Sequence, residues 1–320
     1  MSKDDVMEEE RWESIRACYP AQQPLLNLNN AAVSPPPLVV EQAVVDAYRL
    51  ISRNPDVNMW SKLDAALPDV KRQLAAVVMC DPSEIALNRN STEGLCTAIF
   101  GIPLSPGDQV LVSEWDYPSV RAAWLQRGQR EGIEVVTVDF DLMDDDDTIF
   151  AAYAARITER TRVMQLTHMF HWTGRVLPAQ RLCKLAREHN VVTVVDAAQS
   201  FGQMPVSFRE LDCDYLATSL HKWLGAPVGN GMLVVREDRI DCSWPARAVR
   251  SAAAAHRQIR PLEPGYLQLR ASGRDRTGDR VPSADRHLGH PCASARADPA
   301  LGPARTPDSG IPIAHAGGHG

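Results

Sequence analysis

The sequence predicts an α/β domain built on a parallel or mixed sheet that is covered on both faces. Two observations carry this expectation. Seven short apolar runs of strand length are spread over residues 84–235, and longer amphipathic stretches separate several of them. The runs are nearly continuous rather than alternating, as in strands buried on both sides.

Taken in order, the first run is Glu84–Asn88 (EIALN) and the second is Asp108–Ser113 (DQVLVS). Pro118–Gly132 follows as an amphipathic helix candidate, then Glu134–Asp139 (EVVTVD) as the third run. Asp144–Asp147 is a run of acids without the glycine and terminal glutamate of a calcium loop. It is expected to be a solvated loop and helix cap before the Thr148–Ile157 helix candidate. Arg162–Leu166 (RVMQL) is the fourth run. Pro178–Asn190 reads as a helix, because proline suits a first turn and asparagine suits the residue that ends one. Val191–Val195, Tyr215–Ser219 and Gly231–Val235 complete the set. Gly225–Gly231 does not fit a P-loop and reads as a turn before the last strand.

With 320 residues, 44% of them hydrophobic, the chain is long enough to bury one large core or two smaller ones. It lacks the run of ~18 apolar residues that a membrane-spanning helix needs. Its acidic first residues lack the basic-then-apolar order of a signal peptide, so a cytoplasmic location is expected. Cys18, Cys80, Cys96, Cys183, Cys213, Cys242 and Cys292 are scattered, with no CxxC pair. They read as reduced, mostly buried thiols and not as a disulfide frame or zinc site.

The composition changes near residue 245. Residues 246–320 hold 11 arginines, 6 acidic residues and no lysine, and are dominated by Ala, Arg, Gly and Pro. So little large apolar content cannot offset the ordering entropy of a core. Three segments are therefore expected: 1–24 as an N-terminal segment, 25–245 as the ordered domain, and 246–320 as a low-complexity tail. A basic tail raises nucleic-acid contact as a possible role, but without lysine clusters, interleaved aromatics or repeats nucleic acid is not an expected partner.

In sheets of this class ligands sit beyond the carboxyl ends of the strands, so the residues after each run are the candidates. After the first run, Arg89-Asn90-Ser91-Thr92-Glu93-Gly94 opens a helix with small hydroxylated residues, suited to a phosphate or to ordinary capping. After Val191–Val195 comes Asp196-Ala197-Ala198-Gln199, an acid placed to meet a ligand or to cap a loop. After the sixth run comes Ser219-Leu220-His221-Lys222-Trp223. A lysine there, among apolar neighbours, is placed for a lowered pKa and carbonyl chemistry.

In that order these motifs resemble the fold-type I pyridoxal phosphate enzymes, and more narrowly the class V aminotransferase family. The epimerase-like branch is suggested by Leu28-Asn29-Asn30-Ala31-Ala32-Val33-Ser34-Pro35, by Asn88–Gly94, by Trp172-Thr173-Gly174-Arg175-Val176-Leu177-Pro178 and by Thr218–Leu224. That branch contains isopenicillin N epimerase. The resemblance implies a fold-type I PLP-transferase-like large domain with a mostly parallel seven-stranded sheet between helices. It implies pyridoxal 5'-phosphate as cofactor and a small amino-acid-like molecule as substrate. It also implies a homodimer.

Carried over residue by residue, the resemblance makes Lys222 the catalytic residue, joined to the cofactor as a Schiff base and then acting as base or acid. Asp196 would pair with the pyridinium nitrogen and so keep the ring an electron sink. Gln199 would hydrogen-bond the phenolic oxygen. Ser91, Thr92, Ser219 and His221 would hold the phosphate. Tyr117 or Trp115 would stack on the ring, and His171 falls where relatives place a polar group facing the cofactor. No metal site is expected, since His168 and His171 have no further ligand at suitable spacing. Relatives continue into a small α/β domain that carries an arginine for the substrate carboxylate. The switch near residue 245 predicts that this domain is lost or frameshifted, which leaves an inactive truncated member as one alternative. Cysteine desulfurase activity is disfavoured, because no cysteine in the matched part is placed to act as its nucleophile. An interaction or nucleic-acid-binding protein acting through the tail is the other alternative.

Overall fold

The computed structural model describes residues 3–20 and 27–243, and the tail expected over 246–320 lies outside them. The N-terminal part is helical: α1 (Lys3–Ala17), α2 (Leu38–Arg53), α3 (Pro55–Asn58) and, after one π-turn, α4 (Asp64–Val78). Then β1 (Ile85–Asn88), α5 (Ser91–Gly101), β2 (Gln109–Ser113), α6 (Pro118–Glu131) and β3 (Glu134–Val138) follow. They lead to α7 (Asp146–Ala154), β4 (Thr161–Thr167), α8 (Ala179–Glu188) and β5 (Val192–Asp196). The last described elements are α9 (Phe208–Leu211), β6 (Tyr215–Ser219), β7 (Gly231–Val235) and α10 (Glu237–Ile240).

The strands form one seven-stranded sheet in the order β1-β7-β6-β5-β4-β2-β3. β2 pairs in parallel with β3 and β4, β4 with β5, and β5 with β6. β7 runs antiparallel to both β6 and β1, so it alone opposes the others. Successive side chains of a strand point to opposite faces, and both faces are buried here. Leu111 and Val195 pack with Leu74, Tyr153 and Leu182 of α4, α7 and α8. Their neighbours Val110, Val112 and Val194 pack with Leu95, Ile99 and Trp124 of α5 and α6 on the other side. Arg127 locks this second layer by donating to the Ile99 and Ile102 carbonyls at the end of α5.

All seven predicted strands are present, each within two residues of its expected limits. α7 begins at Asp146 rather than Thr148, because Asp145 accepts from the Thr148 N–H at 2.7 Å and caps the helix. The acidic run is thus a loop and cap. Asn190 takes a left-handed φ of 57° after α8, which asparagine tolerates better than most residues. The helices α1 to α4 were not foreseen. Cys18, Cys80, Cys96, Cys183 and Cys213 are free, but only Cys183 and Cys213 of these are buried.

Candidate active site

The carboxyl ends of β1, β2, β4, β5 and β6 converge on one cleft of about 470 Å³. Its lining contains Ser91, Thr92, Tyr117, His171, Asp196, Gln199, Ser219, His221 and Lys222, so all nine candidates meet in one place. Parallel strands bring this about: each delivers its next residue to the same edge of the sheet. Of the two aromatic candidates, Tyr117 lines the cleft. Trp115 instead donates its indole N–H to the Phe140 carbonyl at 2.7 Å and packs against the core.

At the start of α5 the Ser91 N–H donates to the Ser219 hydroxyl at 2.9 Å, and that hydroxyl donates to Ser91 Oγ at 3.0 Å. Asn90 caps the helix by accepting from the Glu93 N–H. The Thr92 N–H and hydroxyl have no partner among the described residues, and they face an anion-favouring helix end. His221 Nδ1 lies 3.0 Å from the Asn230 carbonyl. A carbonyl only accepts, so Nδ1 carries the proton and Nε2 is the free ring nitrogen.

Asp196 is buried at the end of β5, and its Oδ1 accepts from the Ala198 N–H at 2.9 Å. Burial pushes its pKa up, while that hydrogen bond and the Lys222 charge pull it down. Lys222 feels the reverse: burial lowers its pKa and Asp196 raises it. Gln199 donates to the Ala31 carbonyl at 3.1 Å and accepts from the Trp223 indole at 2.9 Å. It thereby ties the 29–34 segment to the lysine loop.

Two residues escaped the sequence reading: Thr167, which lines the cleft, and Asp116 behind it. Thr167 lines the cleft as the partner of Asp196 in the β4–β5 register, and it donates its hydroxyl to Asp116 at 2.6 Å. Asp116 also accepts from the Ser113 N–H at 2.8 Å and is buried. Being the last residue of a buried run was the one available signal for Thr167. His168 is buried against Ser200 at 2.9 Å, and burial pushes its pKa down to about 4. No metal-binding cluster occurs among the described residues.

Burial raises the Asp116 pKa to about 7 from an ordinary 3.8, despite the two hydrogen bonds it accepts. The folded chain therefore holds a proton that the unfolded chain has lost over that window. Stability contributed by this group falls as pH rises through it, by ~1.4 kcal/mol per unit, and levels off above about 7. Urea unfolding of the wild type and Asp116→Asn across that range checks this. The wild type should lose stability relative to the variant as pH rises, and parallel curves would contradict the assignment.

The sheet thus gathers a helix start, a buried carboxylate and a half-buried lysine in one cleft. The family described as aminotransferase class-V matches residues 26–246, and the chain belongs to that family. It is a family of enzymes that bind pyridoxal phosphate. The chain is 30% identical over 231 residues to the isopenicillin N epimerase of Streptomyces clavuligerus, covering 72% of this chain and 58% of the relative. It is 31% identical to a probable cysteine desulfurase of Halobacterium salinarum, covering 69% and 56%. A solved C-DES variant with glycine covalently linked to its PLP cofactor superposes with a TM-score of 0.72. That match has 23% identity and covers 78% of this chain and 70% of the other, so it bears on the fold alone. The chain thus spans somewhat over half the length of these curated relatives.

Proposed function

We propose that this chain is a pyridoxal phosphate enzyme acting at the Cα of an amino acid or amino-acid-like substrate, of the isopenicillin N epimerase-like kind. The observation that carries this is the meeting of Lys222, Asp196 and the Ser91–Ser219 pair in one cleft. The donor set fits the group. Hydroxyls, the α5 N-terminus and His221 suit a phosphate, a carboxyl suits a pyridine nitrogen, and an amine with a lowered pKa suits an aldehyde. When bound, the cofactor would supply an electron sink for the pair left at Cα by proton removal.

The protein's own residues do the rest. Ser91, Thr92, Ser219 and His221 would hold the phosphate. Asp196, kept from solvent, would keep a proton at the pyridine nitrogen. Gln199, whose other groups are fixed by Ala31 and Trp223, would have one amide hydrogen left for the phenolic oxygen. Tyr117 would lie against the ring. Lys222 moves the Cα proton, its amine kept reactive by burial.

The epimerase-like reading is preferred over desulfurase chemistry because the first two relatives matched are isopenicillin N epimerases. Residues 25–245 are taken as the large domain, which agrees with the reach of the family match. A homodimer is part of the proposal: α2 buries no residue and exposes Val39 and Tyr48, an apolar surface a second copy would cover. A cytoplasmic setting is favoured by the free thiols. No helix among the described residues is long and apolar enough to cross a membrane.

Titrating the full chain with pyridoxal 5'-phosphate tests the reading. A visible absorbance band that saturates at one cofactor per chain is expected. A chain that folds and gives no band overturns it.

A further inference from the structure

Each acid of the Asp144–Asp147 run has a partner, and one of those partners leads to the cleft. Asp144 Oδ2 accepts from the Asp141 N–H at 2.8 Å, and Asp145 caps α7. Asp147 pairs with Arg181 of α8 at 2.8 Å, and that guanidinium lies 4.7 Å from the centre of the Phe150 ring of α7. This contact packs one helix on the other. Arg175 takes the remaining acid: its Nη2 donates to Asp146 Oδ1 at 2.7 Å and to the Asp144 carbonyl at 2.8 Å.

Arg175 stands on the outer limb of a small hairpin. Met169 bridges Val176 antiparallel, the Phe170 N–H donates to the Arg175 carbonyl at 3.0 Å, and Gly174 turns the chain at a φ of 73°. The inner limb is fixed, because the His168 N–H donates to the Asp196 carbonyl at 2.9 Å and Phe170 is buried in the core. The tip carries His171 and Trp172, both of which line the cleft. They meet through their rings, with centroids 4.3 Å apart, and His171 stands edge-on to Tyr117 at 5.4 Å. Among the described residues, the 172–176 stretch has no hydrogen bond to a residue outside the hairpin other than the two from Arg175.

We propose that Arg175 is a positioning residue: it clasps the acidic loop and so fixes where the hairpin presents His171 and Trp172 to the cleft, and where His171 meets Tyr117. A guanidinium bonded to both a carbonyl and a carboxylate sets position and direction together. The Asp146 side chain is half exposed, and such a pair adds little to global stability. The effect is therefore local, on the hairpin and on the cofactor ring that Tyr117 would lie against. That last consequence rests on the cofactor reading above.

The test uses the full chain labelled with fluorinated tryptophan. The Trp172 fluorine signal, assigned by its loss in Trp172→Phe, should shift in Arg175→Gln. It should shift less in Asp146→Asn, which keeps the carbonyl bond, and the double variant should match Arg175→Gln alone. Arg181→Gln is the control. It breaks the same kind of pair on the same acidic run, but that pair joins α8 to α7, so the signal should stay in place. With pyridoxal 5'-phosphate, Arg175→Gln should need ~3–10-fold more cofactor for half-saturation of the visible band, and Arg181→Gln no more than the wild type. A Trp172 signal that Arg175→Gln leaves unmoved, or that Arg181→Gln moves equally, overturns the clasp. A shifted signal beside an unchanged cofactor affinity overturns the positioning role. A wild type that forms no band overturns the cofactor reading instead, while the fluorine signal still decides the clasp.

Discussion

Replacing Lys222 by alanine should abolish the visible band formed with pyridoxal 5'-phosphate and lower turnover by at least ~10²–10⁴-fold, the usual worth of a positioned proton-transfer group. The argument is local. Lys222 lies three residues after β6, its backbone N–H reaches the Ser219 carbonyl at 3.4 Å, and its amine sits where burial lowers its pKa while Asp196 raises it. Among the described residues no other lysine lines the cleft. The variant should still fold, because removing a half-buried side chain beside a cleft leaves the core layers intact. A variant that retains the band would show that another amine holds the cofactor and would remove Lys222 from the site.

The second large effect is structural and falls at Gly231→Ala. A Cβ at Gly231 would lie 2.6 Å from Asn90 Cα and 2.7 Å from Asn90 N, closer than real Cβ contacts come. These are backbone atoms at the cap of α5, so they cannot swing aside as a side chain would. Overpacking of this kind typically costs ~1–3 kcal/mol, and here it would also displace the Asn90–Ser91 helix start. Weaker cofactor binding should therefore accompany the lower urea midpoint. Gly229→Ala is the control. Its φ of 89° strains any other residue, but nothing lies within 4 Å of the added carbon. That variant should lose only ~1–2 kcal/mol and keep its cofactor affinity. Equal losses of affinity in both would show that the Asn90 contact does not position the site.

The strands and most of the cleft were legible in the sequence for one physical reason. A buried parallel strand must be apolar throughout, and its ligand-facing residues must come just after it. Both features are linear. Ser91, Asp196, Ser219 and Lys222 all lie within three residues of the end of an apolar run. The N-terminal helices were not legible. α2 has an apolar stripe yet buries nothing in this chain, so its pattern reports on a surface and not on the core.

By itself, then, the sequence determined the α/β class, the order of the strands along the chain and the residues that end them. The tertiary structure decided what depends on lateral order, which no linear pattern encodes. The placing of β5 between β6 and β4 brings the segments that carry Lys222 and His171 to the same cleft as Asp196. The β4–β5 register brings Thr167 into the site, with the buried Asp116 bonded behind it. Trp115 and Tyr117, two residues apart and equally aromatic, go to the core and to the cleft because one indole N–H finds the Phe140 carbonyl. A contact between residues 25 positions apart settles what composition leaves open, because a buried N–H must have a partner wherever in the chain it lies.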